Sequence, residues 1–178
     1  MPPHTVLLIR HAEKPDPSRD IRGVDLRGHD DPSELSVTGW QRSGALARLF
    51  SPAQAAEMLP RPDVIFAARS HARSARPLRT VQLLSRTLGT PLRDAHDSDD
   101  IDGLIQDIRE CPGVAMVCWR HEDIASIARA LLGADWSVPE WDPQRFDVVW
   151  VLGLREGRWS FRQRPQLLLP DDSRDPIR

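Results

Sequence analysis

Two histidines stand directly behind short apolar runs, each beside an arginine and close to a glutamate. Thr5 to Ile9 leads into Arg10-His11-Ala12-Glu13-Lys14, and Val114 to Trp119 leads into Arg120-His121-Glu122. A further apolar run, Asp63 to Ala67, is followed by a segment holding His71, Arg73, Ser74, Arg76 and Thr80. An imidazole with one ring nitrogen free can attack phosphorus and form a phosphohistidine that water then hydrolyses. Arginine forks match phosphate geometry and keep their charge at any working pH. An in-line displacement needs these parts and a proton for the leaving oxygen. In such a scheme His11 is the nucleophile, Arg10 and Arg76 clamp the phosphate, and His121 completes the clamp. It requires neither a metal nor a cofactor.

The elements around these residues read as an α/β domain, because short apolar runs alternate with segments of helical period. The three apolar runs are the expected buried strands. A helix is expected to open near Thr38, capped by that hydroxyl, with Trp40, Leu46, Leu49 and Phe50 turned inward. Others are expected from about Ala75 to Leu88 before Gly89, from near Asp100 to before Pro112-Gly113, and from Glu122 to Leu132 before Gly133. Phe146 to Leu152 and Arg158 to Arg162 flank Arg155-Glu156-Gly157 as a hairpin. Parallel sheets bind ligands beyond the carboxyl ends of their strands, which is where His11, Arg76 and His121 fall. Lys14 to Glu34 is a long irregular loop, of the kind that shapes substrate choice.

Four motifs in this order resemble the histidine phosphatase superfamily, the phosphoglycerate-mutase-like proteins, over nearly the whole chain. Arg10-His11-Ala12 is similar to the family's opening Arg-His-Gly. Leu35-Ser36-Val37-Thr38-Gly39 resembles its leucine, threonine and glycine at a helix start. Arg76 with Thr80 resembles its second arginine and following threonine, and His121 its second histidine. Each motif alone is weak, but together and in order they are fairly specific. The resemblance implies a three-layer α/β/α sandwich with a mostly parallel central sheet. It also implies a phosphatase acting on a phosphate monoester or a phosphorylated protein side chain. Glu122 holds the place of the acidic proton donor in the acid-phosphatase branch. Glu13 is a second candidate, or else pairs with Arg10 or Arg76, and Asp97, Asp99 and Asp100 are further ones. Lys14, His71 and Arg73 are secondary contacts. Ala12 replaces the commoner glycine, and no mutase-type glutamate follows the second arginine, which disfavours mutase activity.

The 178 residues suit one domain, expected over 1–170, with a disordered tail from 171 to 178. With 24 basic and 26 acidic side chains the chain lacks the basic footprint of a nucleic-acid binder. Cys111 and Cys118 are too few to staple it, and the longest N-terminal apolar run, Val6 to Ile9, is too short for a signal peptide or a membrane span. A soluble cytoplasmic protein is the expectation, with oligomeric state open. Two rival functions stand beside the phosphatase: a phosphate-binding module that has lost turnover, and a metal hydrolase using His11, Glu13, His121 and Glu122. Arg10 weighs against the metal by charge repulsion.

Overall fold

The computed structural model describes residues 3–50, 59–71 and 74–178. One six-stranded sheet organises them, formed by β1 (Thr5–Arg10), β2 (Val64–Ala67), β3 (Leu92–Arg93), β4 (Val114–Trp119), β5 (Val148–Arg155) and β6 (Arg158–Pro165). Its order is β3-β2-β4-β1-β5-β6. The β3–β2, β2–β4 and β4–β1 pairs are parallel, and β5 and β6 join antiparallel at one side. The four helices are α1 (Val37–Leu49), α2 (Arg76–Leu88), α3 (Ile101–Glu110) and α4 (His121–Leu132).

Strand alternation divides the core in two, because successive side chains point to opposite faces. Leu7, Ile9, Met116 and Cys118 pack with Leu46 and Phe50 at and beside the end of α1 and with Val81 and Leu84 of α2. Val6, Leu8, Val117 and Trp119 pack on the other side with Leu104 and Ile108 of α3 and Ile124 and Ile127 of α4. The result is the expected helix–sheet–helix sandwich. Both faces of the parallel strands are covered, which is why β1 and β4 read as unbroken apolar runs.

Several details depart from the sequence reading. The cap of α1 is Ser36, not Thr38: its hydroxyl accepts the Gly39 N–H at 3.1 Å. Helix α4 begins at His121 itself, and the hairpin starts at Val148 rather than Phe146. The two-residue β3 is too short to show any periodicity. The segment from Asp171 to Arg178, expected to be disordered, is tied down. Ser173 N–H donates to Asp147 at 2.6 Å, Gln163 bonds both backbone groups of Ile177, and the Ile177 side chain lies in the core at 5% exposure. The long loop holds a short 3-10 turn, Pro17–Arg19, and backbone bridges from Gly23 to Ser36 and Val24 to Asp30.

Candidate functional site

β1 and β4 lie side by side in parallel register, with Arg10 opposite Trp119. They therefore deliver their following residues to the same sheet edge, and the His11 N–H donates to the Trp119 carbonyl at 3.0 Å. His11 is buried at 6% exposure. Its Nδ1 lies 2.7 Å from the Ala12 carbonyl oxygen, which can only accept, so Nδ1 carries the proton and Nε2 keeps its lone pair. Burial lowers the His11 pKa to about 3, against the raising effect of that bond and with the help of the nearby charges of Arg10, Arg76 and His121. Such a shift keeps the ring neutral at ordinary pH, with the Nε2 lone pair available.

The turn after His11 is clamped from two sides. Thr80 accepts the Ala12 N–H through Oγ1 at 2.8 Å and donates to the Arg76 carbonyl at 2.8 Å. Ser36 donates its N–H to the Glu13 carbonyl at 2.9 Å. Gly39 lies against the same carbonyl: a Cβ there would meet the Glu13 oxygen at 2.4 Å, so glycine is required by close approach. The Leu35 to Gly39 motif thus shapes the turn that follows His11.

Arg10 is fully enclosed, with its guanidinium 3.8 Å from the centre of the Phe146 ring and Nη1 bonded to the Pro143 and Arg145 carbonyls. Burial lowers its pKa to about 10, with Glu122 and Glu13 opposing the shift. Arg76 opens α2 and donates Nη1 to the Pro32 carbonyl at 3.0 Å; burial lowers its pKa as well, and Glu122 and Glu34 oppose. The Nε atoms of Arg10 and Arg76 are buried without a hydrogen-bond partner among the described residues. Two unpaired cationic donors beside a neutral imidazole could take an anion as their missing partner, since an unpaired buried donor is costly.

His121 is half-buried as the first residue of α4, with Nδ1 3.0 Å from Glu122 Oε2. Burial and the Arg10 charge lower its pKa, while Glu122 works against them. The Glu122 side chain is 59% exposed, within electrostatic reach of both Arg10 and Arg76. The expectation that Glu13 pairs with Arg10 or Arg76 is corrected: its carboxylate takes Arg42 at 2.7 to 3.1 Å. Asp100 caps α3 by accepting the Gly103 N–H, and it also bonds His96 at 2.7 Å. His71 is exposed in a turn with Ser74, and Lys14 is exposed at a cleft. Arg73 lies outside the described residues. Arg79 of α2 is committed to Glu34.

The cleft beside His121 has a volume of about 700 Å³. Lys14, Arg19, Arg145, Phe146 and the stretch from Asp171 to Ser173 are among the residues that line it. Sequence reasoning missed Arg42, the hub at its floor. A lone arginine on an amphipathic helix gives no sign of burial, and only the third dimension brings Glu13 and Asp172 to it. Among the described residues no three His, Cys, Asp or Glu side chains are grouped to hold a metal ion, and no helix is long and apolar enough to cross a membrane.

This sheet and its flanking helices form a phosphoglycerate-mutase-like fold. A protein histidine phosphatase SixA solved with tungstate superposes with a TM-score of 0.60 at 14% identity, covering 91% of this chain and 97% of that one. A structure assigned as the phosphohistidine phosphatase SixA of Agrobacterium tumefaciens gives 0.53 at 21% identity over 90% and 96%. The phosphoglycerate mutase of Plasmodium falciparum gives 0.53 at 13% over 97% and 98%. No family model matches the sequence, and no curated protein matches it.

Proposed function

We propose that this protein is a metal-independent phosphatase that works through a phosphohistidine on His11. The observation that carries the reading is the pair of buried, unpartnered guanidinium Nε atoms, on Arg10 and Arg76, around a histidine whose Nε2 is free. His11 Nε2 attacks phosphorus, the two arginines hold the equatorial oxygens, and His121 adds a third donor. Glu122 protonates the leaving oxygen, after which water, activated at the same position, hydrolyses the phosphohistidine. The substrate is a phosphate monoester or a phosphorylated protein side chain. The fold shared with structures named as phosphohistidine phosphatases, one of them solved with tungstate, a tetrahedral oxyanion, supports a phosphorylated ligand.

The metal-hydrolase rival needs Glu13 as a ligand, and Glu13 faces Arg42 instead. The binding-module rival keeps the same clamp. Hydrolysis of para-nitrophenyl phosphate by the protein and by His11→Ala, with and without chelator, separates the readings. Chelator-resistant turnover that vanishes in the variant is expected. Chelator-sensitive turnover would move the chemistry to a metal, and phosphate affinity without turnover would leave a binding module.

A further inference from the structure

We infer that Arg42 is a positioning residue for the His11 turn, and that the segment from Gln166 to Ser173 is part of the same device. This inference rests on the proposed role of His11. The Arg42 side chain is only 4% exposed, on the inward face of α1. Its Nε donates to both Glu13 carboxylate oxygens at 2.9 and 3.1 Å, and Nη2 donates to Glu13 Oε1 at 2.7 Å. From the other side Nη1 reaches Gln166 Oε1 at 2.9 Å and Asp172 Oδ2 at 3.1 Å, and Nη2 reaches Asp172 Oδ1 at 2.6 Å. Asp172 is itself fixed, because Oδ2 also accepts the N–H groups of Leu168 and Leu169 at 2.7 and 3.1 Å.

One planar fork thus joins the residue two places after His11 to the far end of the chain. Glu13 is held at its carbonyl by Ser36 and at its carboxylate by Arg42, so its backbone has little freedom. His11 bonds the carbonyl of Ala12, the residue between them, and a shift of Glu13 moves the acceptor that fixes the His11 tautomer. Lysine cannot replace this fork, because a point charge on a flexible stem does not span two carboxylates bidentately. Glu13, Arg42, Leu169 and Asp172 also line the 700 Å³ cleft, so the same contact that orients the nucleophile's turn forms the wall beside it.

The test compares the full chain with Arg42→Lys, Glu13→Gln and Asp172→Asn. Two readouts are taken: steady-state turnover of para-nitrophenyl phosphate, and the ring-nitrogen NMR shifts of His11 across pH. Each variant is expected to lower kcat at least tenfold with KM within about threefold. The His11 ring signals should move from the single Nδ1-protonated form toward a tautomer mixture. Activity lost only in proportion to the unfolded fraction, with unmoved His11 signals in the folded protein, would overturn the inference. Should Arg42→Lys fail to fold, Glu13→Gln carries the test, since it leaves the Arg42–Asp172 pair in place. Should the wild-type chain show no turnover, the proposed phosphatase falls while the His11 spectrum still decides the role of Arg42.

Discussion

Thr80 Oγ1 sits 2.8 Å from the Ala12 nitrogen and 2.8 Å from the Arg76 carbonyl oxygen, so one buried hydroxyl couples the turn after His11 to the first turn of α2, which opens with Arg76. Thr80→Val keeps the shape and leaves the Ala12 N–H unpaired. It is expected to cost about 1–3 kcal/mol in urea unfolding and to lower kcat, with Thr80→Ser restoring most of both. A valine variant as stable and active as wild type would show that the hydroxyl couples nothing.

Arg76 contributes a cation and one unpartnered Nε to the proposed phosphate clamp. Arg76→Ala is expected to weaken inorganic phosphate binding by about 1.5–3 kcal/mol, the range for hydrogen bonds to charged groups, or roughly 10- to 150-fold in affinity. Isothermal titration with phosphate measures it. Unchanged affinity would remove Arg76 from the clamp and leave Arg10 or Arg73, since Arg79 is held by Glu34.

The two buried or clamped histidines predict opposite pH dependences of stability. His11 has its folded pKa depressed to about 3, so the unfolded chain takes up a proton below about pH 6.5 while the folded chain does not. Stability from this group is complete above pH 6.5 and falls as the pH drops toward 3, with a slope of at most about 1.4 kcal/mol per pH unit. His96 is the reverse. Burial works against its charge, but hydrogen bonds to Asp100 and Asp107 outweigh it and raise its pKa. Its contribution is complete below the unfolded pKa and is lost as the pH rises through the folded one. Urea midpoints from pH 4 to 8 should flatten on the acid side in His11→Ala and on the alkaline side in His96→Gln. An acid limb unaltered by His11→Ala would contradict a buried neutral imidazole.

Glu122 is the proposed proton donor, beside His121 and open to solvent. Glu122→Gln is expected to slow alkyl phosphates by roughly 10–100-fold while sparing para-nitrophenyl phosphate, whose leaving group needs little help. A plot of log kcat/KM against leaving-group pKa should steepen. Parallel plots for the two proteins would limit Glu122 to orienting His121.

The sequence shows the site more readily than its supports. Arg10, His11, Arg76 and His121 each follow a legible local signal, an apolar run ending or a helix beginning, and the structure brings them to one edge. The turn supports are not local. Thr38 has the residue type of a cap, yet Ser36 does the capping, because the chain enters the helix where Glu13 meets it. Glu13 looks free to pair with the nearest arginines in sequence, and its actual partner lies in a helix face that reads as ordinary. The last eight residues contain little that is apolar, and what orders them is a set of hydrogen bonds to Asp147, Gln163 and Arg42 that no window of neighbouring residues can foretell.

The parallel pairing of β1 with β4 has a consequence for synthesis. His11 is made well before the strand that pairs with β1 and brings His121 beside it, which follows β2, α2 and α3 in the chain. Until that later strand docks, His11 lacks both the Trp119 carbonyl that takes its N–H and His121 beside it. A chain cut before β4 is therefore expected to hold His11 as an ordinary solvated imidazole, without the burial that keeps it neutral in the folded protein.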